Sequence, residues 1–307
     1  MNDVLRVVAS RQEGVVAVWQ LTEAGMGRRG VELRVRGLRQ LQDGVHLTGD
    51  APVTRRQQWW AAALTAPGRV LSHASAGAAY DFRPWAGAFE VITRPGSGGP
   101  RRYPSLLVCS STTLAGNTTE LRGLPITTAE RALADLAPGL DDREFARCVR
   151  EALRLRVTTC AQIQVMLLRA PARNRPAKLA RLAAHYAHLP IARAASDPEA
   201  YALEILDAAG YPTPLVNVVV AGHKPDLAWP HARHIVELDG PDFHQFPDED
   251  LRKEGVWKRA GWTVARLPTN DVYDHPQRLL AAAEPALSAP PAAGTAWRRS
   301  GPTCRPS

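Results

Sequence analysis

Lysine is scarce in this 307-residue chain. Lys178, Lys224, Lys253 and Lys258 are the only four among 38 basic residues, and the rest are arginine. With alanine abundant, that imbalance reads as a GC-rich coding bias. The net charge of +8 and the pI near 9.7 therefore point to a polyanionic partner only where arginines cluster. Cysteine is rare as well. Cys109, Cys148, Cys160 and Cys304 include no pair at CxxC spacing and no His–Cys cluster, so neither a zinc site nor a disulfide framework is expected. No apolar run approaches the length of a membrane span, and the opening MNDVLRVVASRQEG has no signal-peptide core. These absences predict a soluble, cytoplasmic protein with no membrane partner. There is no internal repeat, and GSGGPRR (96–102) lacks the spacing that cradles phosphate, reading instead as an ordinary hairpin connection.

What is present suggests an α/β chain (α+β overall) long enough for two or three domains. Residues 13–25 have helical apolar spacing. MGRRGVELRVRGLRQL then puts Arg28, Arg29, Arg34, Arg36 and Arg39 on and around a second short helix, and QDGVHLTG reads as a hairpin arm. Helix, basic helix and β-arm over 1–52 suggest a winged helix-turn-helix; the same arginines equally suit the solvated face of a small helical domain. Over 53–190 the pattern predicts helices at 53–65 and 71–82, then strands in AFEVITRP and SLLVCSS. A helix begins in ITTAERALADLA, with Thr127 or Thr128 as N-cap and Glu130 in its first turn. A further helix spans 142–155, with Phe145, Cys148, Val149 and Ala152 on one face, and more helix continues to about His188, broken near RAPARNRPA. A small α/β unit with a mixed sheet spans 195–287: helix 197–209, strands 214–220, 224–229 and 234–239, helix 248–260, strand 262–267, helix 275–286. The tail 288–307, rich in Pro, Ala and Arg, reads as disordered.

The chemistry concentrates in KPDLAW (224–229) and HIVELD (234–239), joined by four residues. If Trp229 faces His234, paired residue numbers sum to 463, so Asp226 lies opposite Glu237 and Lys224 opposite Asp239, all on one face. Two carboxylates that close repel, unless one is protonated or a cation lies between them. A hard divalent ion, Mg²⁺ or Mn²⁺, suits carboxylate oxygens and serves phosphodiester hydrolysis. An ordinary charge ladder on a solvent-facing sheet is the alternative. Glu199 lies on the inward side of the 197–209 helix, as a third acid of the site or as a partner of the helix dipole. His244 follows the strand as a general acid, general base or phosphate contact, or else as a surface histidine. Arg252 opens the next helix and suits a DNA phosphate or a neighbouring acid.

The string PDLAW…HIVELDG…FH, followed by D-x-R and GWTVARLPTNDV, resembles the PD-(D/E)xK restriction-endonuclease-like superfamily, nearest its very-short-patch-repair (Vsr) endonucleases and a Vsr-like domain family common in actinobacteria. The resemblance covers roughly 195–287. It implies a central mixed sheet flanked by helices, Asp226 and Glu237 as the metal-binding pair, Glu199 as the auxiliary helix acid, and His244 as the histidine after the strand. Two features depart from that pattern: Asp239 stands where the superfamily usually has lysine, and the zinc-binding cysteines of Vsr enzymes are missing. Lys224, reaching across to Asp239, would substitute for the lysine. The basic helix, DGVHLTG, VLSHASAGAAYDF and GLPITTAERALADLA are similar to AbiEi-type antitoxins of type IV toxin–antitoxin systems over roughly 1–170. That similarity implies a winged-helix module with Arg28, Arg29, Arg34 and Arg36 on DNA, a mixed α/β domain behind it, and a cognate toxin as partner. The expectation is a Mg²⁺- or Mn²⁺-dependent DNA endonuclease; the alternative is a DNA-binding regulator carrying a degenerate nuclease domain. Nothing in the sequence reads a 2′-hydroxyl, so RNA stays open as a substrate.

Overall fold

The computed structural model describes residues 2–85, 87–96, 102–103, 105–240 and 247–288. The chain is a mixed α/β protein that divides into two units, Met1–His188 and Leu189–Ser307. The tail expected to be disordered, 288–307, and His244 fall outside the described residues, save the backbone of Ser288.

The first unit opens with α1 (Asn2–Arg11), β1 (Val15–Ala17), α2 (Val18–Glu23), α3 (Arg28–Val35), β2 (Arg39–Gln42) and β3 (Val45–Leu47). The helix expected over 13–25 is in fact a strand followed by a short helix. Glu13 and Gly14 both turn through positive φ (53° and 87°), which breaks helical continuation, and Val15–Ala17 then zip antiparallel onto β3. A side chain at Gly14 would also meet Thr48 Oγ1 at 3.1 Å. The sheet order is β1-β3-β2. Leu21, Met26 and Val31 form the core under the helices, with Val4, Leu5, Val18 and Val35 packed against it.

The unit continues through α4 (Arg55–Ala63), β4 (Val70–Leu71), α5 (His73–Ala79), β5 (Phe89–Thr93), β6 (Arg102–Tyr103), β7 (Leu106–Ser110), β8 (Thr118–Leu121) and β9 (Leu124–Thr127). It ends in α6 (Ala129–Leu136), α7 (Asp142–Arg154), α8 (Cys160–Arg169) and α9 (Ala177–His185). Thr54 and Thr128 cap α4 and α6 through their side chains. The sheet order is β6-β7-β5-β4-β9-β8. The expected hairpin between AFEVITRP and SLLVCSS does not form: β5 and β7 run parallel, and β6 is the strand that turns antiparallel onto β7. Apolar content alone cannot distinguish a parallel from an antiparallel neighbour.

The second unit holds α10 (Asp197–Ala208), β10 (Leu215–Val216), β11 (Leu227–Trp229), β12 (His234–Asp239), α11 (Pro247–Arg259), β13 (Thr263–Pro268), α12 (Thr269–Asp274), α13 (Pro276–Ala283) and α14 (Pro285–Ser288). The mixed sheet runs β10-β11-β12-β13, antiparallel except for the parallel β12–β13 pair. The strand expected over 214–220 is only two residues long, followed by a bridge from Val220 to His223. The helix expected over 275–286 is two short ones, α13 and α14, since Pro285 restarts it, and α12 precedes them.

Alternation sorts the two faces of this sheet. Ile235, Ala228 and Val264 share one face, where they meet Val220 and Trp257 of α11. On the other face His234 ties the sheet to α13: Ala282 O lies 2.7 Å from its Nε2 and Thr263 Oγ1 2.7 Å from its Nδ1. α10 packs on α12 and α13.

Candidate functional site: a carboxylate pair at the end of a mixed sheet

Trp229 pairs with His234, Ala228 with Ile235 and Leu227 with Val236, the register read from the sequence. One step further, the backbone ladder gives way to side chains. The Asp226 N–H donates to Glu237 Oε1 at 2.9 Å, and the Leu238 N–H donates to Asp226 Oδ2 at 2.7 Å. Each carboxylate thus caps the other strand's backbone, and the two acids are held side by side. By alternation Glu237 and Asp239 share the face of Ile235, so α11 covers an apolar end of this face and the carboxylates occupy the other end.

Both acids resist ionisation. Burial pushes Glu237 up to about 8, and the Asp226 charge adds to the rise, against smaller relief from the Asp226 N–H and the Arg266 guanidinium. Burial likewise raises Asp226 to about 6. The Leu238 N–H opposes the rise, Glu199 and Asp239 add to it, and Arg266 partly offsets it.

The expected Lys224–Asp239 position lies beyond the paired ladder, which ends at Leu227. β11 begins only at Leu227, Pro225 has no N–H to give the ladder, and Lys224 is exposed. Asp239 instead accepts a two-pronged contact from Arg266, Nε to Oδ2 at 3.0 Å and Nη2 to Oδ1 at 2.5 Å. Arg266 is the register partner of Glu237 on parallel β13. Its Nη1 also lies 3.7 Å from Glu254 Oε2 of α11, and Lys258 holds Glu254 Oε1 at 2.5 Å. Arg266 and Glu254 are not among the residues expected from the sequence; the signal for Arg266 is an arginine two residues beyond Val264 in the apolar run TVARL.

Glu199 is 5 % exposed, as its inward placement requires. Its oxygens are taken up by local bonds: Ser196 Oγ donates to Oε1 at 2.8 Å, and the Ala195 N–H and Asn217 Nδ2 donate to Oε2 at 2.8 and 2.7 Å. Ser196 in turn accepts from the Glu199 N–H at 3.4 Å, so the pair caps α10. Glu199 raises the Asp226 carboxyl through space. Among the described residues, no group of three or more His, Cys, Asp and Glu is placed to hold a metal ion. The donor set that remains, two desolvated carboxylates side by side, suits Mg²⁺, which takes one or two carboxylates and keeps several waters.

In the first unit, Arg28, Arg29, Arg36 and Arg39 are exposed, with Leu33 among them, while Arg34 is half-buried. Arg36 is the C-cap of α3 rather than part of the helix, and Arg28 pairs with Glu32 at 3.0 Å. In the second unit Arg252 is exposed on α11. A cavity of about 780 Å³ in the first unit is lined by Thr113, Asn117, Arg131 and Asp135 among others. There Arg131 is spent on Asp135, Thr113 and Ser111 at 2.8–3.1 Å, which braces the wall. No helix among the described residues is long and apolar enough to cross a membrane.

No family model matches the chain. Two uncharacterized proteins of Mycobacterium tuberculosis, one from strain CDC 1551 / Oshkosh and one from strain H37Rv, are each 32% identical to it over 97 residues, 29% of this chain and 36% of theirs. The chain therefore spans about a third of the length of these curated relatives. The crystal structure of the RV2827C protein from Mycobacterium tuberculosis aligns over 60% of this chain and 80% of its own, at 19% identity and a TM-score of 0.28. At that score the likeness bears on neither fold nor function.

Proposed function

We propose that the second unit is a Mg²⁺- or Mn²⁺-dependent DNA endonuclease of the restriction-endonuclease-like kind, directed to DNA by a winged-helix module in the first. The observation that carries this reading is the Asp226–Glu237 pair. Two half-buried carboxylates sit on adjacent strands, each fixed by the other strand's N–H, and both are raised above the ordinary carboxylate range, so a cation between them relieves a standing penalty on their ionisation. A divalent ion bound by Asp226 and Glu237 supplies Lewis acidity and a water of lowered pKa. The chain's own residues hold the ion's carboxylate ligands, shield one side of the face with α11, and place Arg266 beside the scissile phosphate. In hydrolysis the water oxygen bonds to phosphorus, one P–O ester bond breaks, and the water's proton passes through solvent to the leaving oxygen. Glu199 supports this arrangement by holding α10 in place and through its field at Asp226. His244 and Lys224 remain proposals for proton transfer or phosphate contact.

In the first unit, the order α1, β1, α2, α3, β2, β3 and the exposed Arg28, Arg29 and Arg36 support a winged helix laid against DNA. Arg252 would meet the backbone near the cleavage site. The second reading, a DNA-binding regulator of antitoxin type with a silent nuclease domain and a toxin partner, is favoured by Asp239 standing in the lysine position. Either activity places the protein in the cytoplasm. Nicking of supercoiled plasmid with Mg²⁺ or Mn²⁺ separates the two. The parent should cleave and Asp226→Ala should lose at least about 100-fold in rate while retaining DNA; retention without any metal-dependent cleavage by the parent supports the regulator.

A further inference from the structure

We infer that Arg266 is the phosphate-binding cation of this site and that Asp239 is its positioning residue, an assignment that rests on the nuclease reading above. The acids of this face present negative charge where a phosphodiester, itself an anion, must approach. Arg266 is a cation in direct contact with one of them, Asp239. It stands in register with Glu237, and on parallel strands that places its side chain on the same face. Its guanidinium is not left to swing: Nε and Nη2 fork onto the two oxygens of Asp239, and Nη1 points toward Glu254. Lys258 secures Glu254 from the next turn of α11.

This geometry redefines Asp239. Both of its oxygens face Arg266, which gives it the role of positioning that side chain. It accepts two of the five N–H groups of a planar fork and thereby fixes where the rest are directed. A guanidinium fixed this way is pre-organised for a phosphate oxygen and needs no reorganisation when charge develops on phosphorus. It forms no covalent bond in the reaction and moves no proton. The half-buried setting, with side-chain exposures of 22% for Arg266 and 17% for Asp239, keeps water from screening the contact.

The test measures plasmid cleavage and Mn²⁺ affinity together, in the full-length parent and in Asp226→Ala, Arg266→Gln, Arg266→Lys and Asp239→Asn. Arg266→Gln should cleave about 100-fold more slowly, the cost of one transition-state donor. It should bind Mn²⁺ at least as tightly as the parent, because a positive charge near the carboxylates has been removed. Arg266→Lys should recover only part of the rate, since a point charge cannot fork onto Asp239. Asp239→Asn, which keeps the cation but loosens it, should lose about 10-fold in kcat with KM little changed. Free guanidinium should partly restore Arg266→Gln and leave Asp226→Ala unaffected. Arg266→Gln cleaving at the parental rate overturns the assignment and leaves the nuclease intact. Arg266→Gln losing Mn²⁺ binding together with cleavage also overturns it, since Arg266 then only braces the fold. A parent that neither binds Mn²⁺ nor cleaves removes the nuclease reading, and this assignment with it.

Discussion

At the residue scale, the informative feature is that Glu237 and Asp226 each hold a backbone N–H of the opposite strand while burial opposes their ionisation. Glu237 rises from an ordinary 4.5 to about 8 in the folded chain. Between those values the folded state holds a proton that the unfolded state has lost, so stability of the metal-free protein falls as pH rises through this window. Below it, both states are protonated and the penalty vanishes. Glu237→Gln keeps the acceptor for the Asp226 N–H and cannot ionise. It should raise the metal-free melting temperature at pH 8 by about 2–4 °C, the effect of roughly 1 kcal/mol on a domain of this size. At pH 4.5 it should change little. Melting curves of parent and variant at the two pH values check this; equal shifts at both would contradict it. Mg²⁺ should stabilise the parent at pH 8, by about 2.7 kcal/mol at a hundredfold excess over its dissociation constant, and leave the Gln variant nearly unchanged.

At the element scale, the start of α10 and the exposed face of α3 carry separate expectations. Glu199 and Ser196 satisfy each other's end of the helix, and Asn217 ties Glu199 to the segment after β10. Ser196→Ala should cost about 1 kcal/mol, as loss of an N-cap does. Glu199→Gln should destabilise the fold and lower Mn²⁺ affinity only modestly, through its lost field at Asp226, because both carboxylate oxygens are already committed to protein donors. Calorimetric titration decides this, and a collapse in Mn²⁺ affinity would make Glu199 a ligand. On α3, replacing Arg28, Arg29 and Arg36 together with alanine should weaken duplex binding without lowering the melting temperature. Each lost phosphate contact should flatten the slope of log K against log salt by about 0.9. Fluorescence anisotropy across a salt series reads both quantities; an unchanged slope would mean a merely solvated face.

At the scale of the whole molecule, the two units carry different chemistry on one chain: exposed arginines in the first, and a carboxylate pair with its own clamped arginine in the second. On the proposed function, binding and cleavage separate by mutation. Asp226→Ala in the full chain should keep its affinity for DNA within about threefold while cleavage disappears, and the arginine variants should lose affinity first. Filter binding and nicking on the same preparations compare the two.

Much of this was legible along the chain because it depends on neighbours in sequence. The four-residue connection and the alternation of HIVELD determined the register that brings Asp226 to Glu237. Periodicity placed Phe145, Cys148, Val149 and Ala152 in the core. The rest was settled only when distant segments met. The ladder of the short β11 ends before Lys224, and the parallel docking of β13 delivered Arg266, 27 residues beyond Asp239, to the Asp239 carboxylate. The parallel course of β5 and β7 was equally invisible. Local pattern constrains which way a side chain faces along its own strand. Which strand becomes the neighbour, and so which charge answers which acid, is decided by packing energy summed over the whole sheet.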